Sequence, residues 1–174
     1  TSFRLLLAVA AMNKWGVWAD DVQQAFLEAE RPVDKPLWAS YPSGYDEPPG
    51  EDGAIRSSGG GSRRRTRCLL VLRQLYGLHD APMGFFKVLS EHLVKDQGFT
   101  QSLNDRCLFV KYKAGSVTDL ARREAAAQGD RDEAYPAPVV WGDVEVGATV
   151  HVDDIASVGD DGPVKEFRKK LHSR

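Results

Sequence analysis

The sequence predicts an α+β fold, with a mostly antiparallel sheet and helices packed on one face. Two observations lead there. Helical and strand patterns follow one another as helix, strand, helix, hairpin, helix, strands and helix. The stretch 148–158 reads as a strand, a tight acidic turn and a second strand, which is how an antiparallel pair is made. With 174 residues, 42% of them hydrophobic, and charges of both signs, the chain has enough material for the core of one ordinary domain.

Taken in order, Thr1 or Ser2 caps a helix carrying Leu5, Leu6, Val9 and Met12 at roughly helical spacing, ended by residues 13–16. Residues 16–22 form a short strand that delivers Asp21 at its end. Residues 23–30 favour a helical turn, broken by Pro32 and Pro36. Residues 37–41 alternate like a strand. From 45 to 66 the chain turns rich in Pro, Gly and Ser, a flexible insertion. Arg63, Arg64, Arg65 and Arg67 follow it, either gripping phosphates or simply solvated.

Residues 68–72 show a short buried-strand pattern. Asp80 is the expected N-cap of a helix over 81–97, with Pro82 in its first turn and Gly98 as its stop. Phe85, Phe86, Leu89 and Leu93 point from it to the core. Residues 107–110 form another strand, and 113–138 a second polar insertion, part helical. Strand character returns at 139–141 and 144–152, and a terminal helix runs over 164–172.

Composition excludes some classes. The longest apolar run, near Leu5 to Met12, is too short to span a bilayer, and no signal-peptide layout is visible, so no membrane partner is expected. Cys68 and Cys107 have neither metal-ligand spacing nor partners for a disulfide framework, which points to an intracellular, cytoplasmic setting. A net charge of −2 argues mildly against a dedicated nucleic-acid-binding module. It leaves room for a chain whose acids cluster at a site while bases line a groove. Starting at Thr1 and stopping after Arg174 without a closing element, the chain reads as a piece of a longer polypeptide.

The acidic turn carries the chemistry. A continuous alternation would put Thr149, His151 and Asp153 on one face and Val150, Val152 and Asp154 on the other. Adjacent carboxylates on a stiff hairpin repel, and a hard divalent cation such as Mg²⁺ would compensate them. The plain alternative is a solvated turn.

Three blocks then line up with one family. Asp21-Val22-Gln23-Gln24-Ala25-Phe26-Leu27 resembles the first acidic motif of reverse transcriptases from copia-type LTR retrotransposons. Leu75-Tyr76-Gly77-Leu78-His79-Asp80-Ala81-Pro82 resembles that family's Leu-Tyr-Gly-Leu-Lys-Gln-Ala-Pro block, and His151-Val152-Asp153-Asp154 its Tyr-Val-Asp-Asp box. Residues 105–109 and 4–8 are similar to further family segments. Apart from the two insertions, the resemblance covers nearly the whole chain.

It implies a single partial reverse transcriptase domain over 1–174, the palm and part of the fingers of an RNA-directed DNA polymerase within a Pol polyprotein. Its partners would be an RNA template, a DNA primer, deoxynucleoside triphosphates and the remaining Pol segments: upstream fingers, thumb and RNase H. By the family pattern, Asp21 and Asp153 would bridge two Mg²⁺ ions (or Mn²⁺) roughly 3.5–4 Å apart, with the Val22 carbonyl as a further ligand and Asp154 as a more peripheral catalytic acid. Asp20 should point the other way. Ala25, Phe26, Tyr76 and Gly77 would line the incoming-nucleotide pocket, Phe26 selecting deoxynucleotides; Phe26 and Tyr76 read equally as packed core aromatics. His151 and Val152 would lie near the primer terminus.

The departures are His151 for the family's Tyr, His79 for Lys, Asp80 for Gln and Met83 for Arg. They suggest a diverged copy. His151 reads as a core histidine as readily as an active one. Two rivals stand beside the polymerase: an inactive relic that at most binds nucleic acid through the arginines, and a two-metal nuclease or phosphatase, which leaves the Leu-Tyr-Gly-Leu block unexplained.

Overall fold

The computed structural model describes residues 2–40, 68–121 and 140–172. The expected insertion at 45–66 and most of that at 113–138 lie outside them. Helix α1 is Ser2–Asn13, β1 Gly16–Asp21, β2 Leu37–Ser40 and β3 Cys68–Val71. Helix α2 is Ala81–Lys95, β4 Thr100–Gln101, β5 Leu108–Tyr112, β6 Val144–His151, β7 Asp154–Gly159 and α3 Asp161–Leu171. Two 3₁₀ turns, Ala25–Glu28 and Trp141–Asp143, complete the set, with a helical stretch at 117–121.

Five strands form one antiparallel sheet in the order β1-β7-β6-β5-β4. This is the α+β architecture the sequence predicts. The helices, however, divide between the two faces. On one, α2 and α3 bury Phe85, Leu89, Leu93, Val164 and Phe167 against Phe109, Val146, Ala148, Val150 and Ile155. On the other, Leu6 and Ala10 of α1 pack against Leu108, Val110, Val144 and Val158. Gly147 makes the second packing possible, because a Cβ there would lie 2.8 Å from Leu6 Cδ2.

Several expectations shift in detail. The buried face of α1 is Leu6, Val9 and Ala10, an i, i+3, i+4 stripe, while Leu5 and Met12 are exposed. Strand β3 pairs only with β2, in a separate two-stranded ribbon, and Leu69 and Leu70 are exposed rather than buried. No described layer covers that ribbon. A 3₁₀ turn at 141–143 takes in Trp141, the end of the strand expected at 139–141, and α3 begins three residues before Val164. Asp80 sits at the N-cap of α2 but makes no capping bond; its carboxylate lies 3.5 Å from Arg31 Nη1 instead. Helix α2 stops at Lys95, short of residue 97. Gly98, at φ 74°, then turns the chain so that the Phe99 N–H donates to the Leu93 carbonyl at 2.9 Å.

Candidate active site at the acidic turn

Strands β6 and β7 are joined by two residues, Val152 and Asp153, with His151 paired to Asp154. A two-residue hairpin needs left-handed backbone, usually supplied by Gly or Asn. Here Val152 adopts it, at φ 57°. For a β-branched residue that is a strained conformation, of the kind held in place where function demands it.

The turn also resets which residues share a face. Opposed residues of an antiparallel pair point the same way, so His151 and Asp154 join Thr149 on the α1 side, while Val150 and Ile155 face α2 and α3. The uninterrupted alternation expected from the sequence, with Asp154 opposite in sense to His151, is therefore corrected. His151 is exposed, so it is not a core histidine.

Strand β1 lies on the other side of β7 and pairs Asp21 with Asp154. Just beyond, the Val22 N–H donates to the Asp153 carbonyl at 3.2 Å. Asp21, Asp153 and Asp154 are thus gathered by backbone pairing at one end of the sheet, Asp21 and Asp154 exposed and Asp153 half-buried. Among the described residues none of the three carboxylates has an ion-pair partner. Asp21 and Asp154 thus stand as like charges directly opposed across the β1–β7 pair.

Asp20 has the other fate. It points to the α3 side, buried, where Arg168 Nε donates to both carboxylate oxygens at 2.9 and 2.8 Å and Nη2 to Oδ1 at 2.8 Å. His172 Nε2 lies 3.1 Å from the same Oδ1. Burial would raise the Asp20 pKa, but the Arg168 and His172 hydrogen bonds and charges outweigh it and hold the carboxyl below its usual value. The expected opposite orientation of Asp20 and Asp21 holds. Arg168 and His172 were missed, although an acid at a core-facing strand position is itself a signal that a buried cation must come from elsewhere.

The remaining site candidates gather nearby or fall outside. Phe26 is buried, its ring centroid 4.5 Å from that of Tyr76 and 6.4 Å from that of Phe85. Tyr76 itself is exposed, and Gly77 turns the chain at φ 90°. Ala25 is fully buried, and its N–H donates at 3.3 Å to the Val22 carbonyl, leaving that oxygen one free lone pair. A cleft of about 330 Å³ opens here, lined by Val22, Gln23, Gln24, Phe85 and His172 among others. Arg63, Arg64, Arg65 and Arg67 lie outside the described residues.

As donors, the three carboxylates suit a hard divalent ion. Their side chains do not converge on a point, and among the described residues no group of three His, Cys, Asp or Glu stands arranged to hold a metal. Asp21 and Asp154 stand opposed across the β1–β7 pair, and Asp153 lies in the turn beside them.

The chain is 30% identical over 118 residues to the retrovirus-related Pol polyprotein from transposon RE1 of Arabidopsis thaliana. It is 27% identical over 117 residues to the corresponding polyprotein from transposon RE2 of the same plant. Each match takes in 67% of this chain and 7% of the polyprotein. No family model and no solved structure matches. The similarity supports a segment derived from a retrotransposon Pol polyprotein. No helix among the described residues is long and apolar enough to cross a membrane.

Proposed function

We propose that this segment is the palm, with part of the fingers, of an RNA-directed DNA polymerase of the copia type, adding deoxynucleotides to a primer 3′ end on an RNA template. One observation carries the reading. Three uncompensated acids, Asp21, Asp153 and Asp154, are held together at the end of an antiparallel sheet by a hairpin turn strained at Val152. The turn that keeps Val150 and Ile155 together in the core also puts Asp154 on the face of Asp21, so the hairpin brings the acids to one edge. The ordered resemblance of residues 21–27, 75–82 and 151–154 to one family, together with the similarity to Pol polyproteins, supports the same reading.

In this mechanism Asp21 and Asp153 would hold two Mg²⁺ (or Mn²⁺) ions, with the Val22 carbonyl as an additional ligand and Asp154 beside them. Once bound, the ions supply charge neutralisation at the attacking 3′-oxygen and the leaving pyrophosphate. The protein's own part is placement. The strand pairing fixes the backbone from which the carboxylates project, and the Phe26–Tyr76 contact would give the nucleotide a firm wall against which a ribose 2′-hydroxyl would collide. His151 and Val152 lie towards the primer terminus.

The test is primer extension on an RNA template, with the segment carried in its Pol context and supplied with Mg²⁺. Deoxynucleotide incorporation by the wild type, abolished by Asp153→Asn, is expected. Absence of incorporation in both, with both folded, would make the chain an inactive relic.

A further inference from the structure

Two neighbouring aspartates on β1 are used in opposite ways, and the buried one bears on the exposed one. Asp20 lies on the face that carries Trp18 and is paired with Ile155. An aliphatic side chain would pack there without cost. The sequence instead buries a carboxylate, only 3% exposed, and brings a guanidinium from 148 residues away to meet it. Replacing a buried ion pair by apolar residues is often neutral or stabilising, so stability alone does not account for this choice. What a forked guanidinium adds is direction, because three short bonds to one carboxylate fix both position and rotation.

The fixed point is one residue from Asp21 and two from Val22, whose N–H holds the Asp153 carbonyl. Val164, Phe167 and Leu171 anchor α3 in the core, so Arg168 projects from a rigid support. We propose that Arg168, acting through Asp20, is a positioning residue for the acidic turn. It sets the end of β1 so that Asp21 stays opposite Asp154 and Val22 stays bonded to Asp153. Its chemical consequence rests on the metal-binding reading above. His172 is a second, weaker anchor on the same oxygen.

The experiment compares the 174-residue chain with Arg168→Met, Arg168→Lys and the double variant Asp20→Leu/Arg168→Met. Two quantities are read: amide exchange at Val22 by NMR, and Mn²⁺ uptake by electron paramagnetic resonance. The double variant separates position from stability, since it should melt close to the wild type. The expected result is roughly tenfold faster Val22 exchange and roughly tenfold weaker Mn²⁺ binding in Arg168→Met, uncorrected in the double variant. Arg168→Lys, which keeps the charge and loses the fork, should fall between. Wild-type Val22 protection in the double variant would overturn the proposal. If the double variant does not fold, wild-type protection in Arg168→Lys would do so. Failure of the wild type to take up Mn²⁺ would refute the metal reading instead, and Val22 exchange that depends on Arg168 would then still uphold the positioning role.

Discussion

Replacing Val152 should stabilise the protein, although it sits in the proposed site. Its φ of 57° places a β-branched side chain in left-handed backbone, a conformation that costs L-residues about 1–2 kcal/mol. Asn tolerates this region well and should recover most of that energy. Gly recovers it too, but gives back about 0.4–1 kcal/mol through the greater freedom of its unfolded chain. Val152 is 41% exposed, so little burial is lost in either case. The expected order of stability is Val152→Asn, then Val152→Gly, then wild type, with Val152→Ile level with wild type. For a chain of this size, a gain of 1 kcal/mol raises Tm by about 2–4 °C. With a urea slope near 2 kcal/mol/M, it raises the midpoint by roughly 0.5 M. Urea titration followed by circular dichroism reads both order and size. Midpoints below wild type for both Asn and Gly would refute the strain argument, because neither can be destabilising if the left-handed valine is the costly partner.

Two further outcomes follow. Gly147→Ala should destabilise by about 1–3 kcal/mol through overpacking, since its Cβ would meet Leu6 Cδ2 at 2.8 Å and Val158 Cγ2 at 3.3 Å. Adding Leu6→Ala should cancel part of that loss, and strict additivity in thermal melts would show that α1 does not lie on this face. The carboxyl of Asp20 is held below its ordinary value of 3.8, so its contribution to stability is complete above that pH and is lost as pH falls through the lower folded value. Asp20→Asn should therefore flatten the acid limb of the stability profile below about pH 4; an unchanged limb in urea titrations across that range would contradict the assignment.

Much of the fold was legible because periodic segments announce themselves. The α2 stripe of Phe85, Leu89 and Leu93 and the positions of β1, β5 and β6 follow directly from spacing. The face of α1 was not legible, because Leu5, Leu6, Leu7, Val9 and Met12 surround the helix with apolar surface. The choice of Leu6 and Ala10 is made by Gly147 on a distant strand. Strand β3 failed for a related reason. Cys-Leu-Leu-Val reports apolar character, but whether a layer covers it is a tertiary fact. Asp20 was half legible: its direction followed from strand alternation, and its partners, in the last helix, did not.

The acidic turn shows the same limit at closer range. The sequence points to an acidic turn between two strands here but does not mark its bounds, because Val152-Asp153 is not the Asn-Gly or Asp-Gly pair of a two-residue hairpin, so the alternation reads on through it. Yet the sequence held the contrary clue. Ala148 and Val150 before the turn, and Ile155 after it, are all core residues, and 150 and 155 differ by an odd number. One unbroken strand cannot send both to the same side, while a hairpin pairing 151 with 154 does so automatically. The hydrophobic pattern therefore demands the strained turn, and the strained turn puts Asp154 on the face of Asp21. Core packing and the gathering of the acids are consequences of a single backbone choice at Val152.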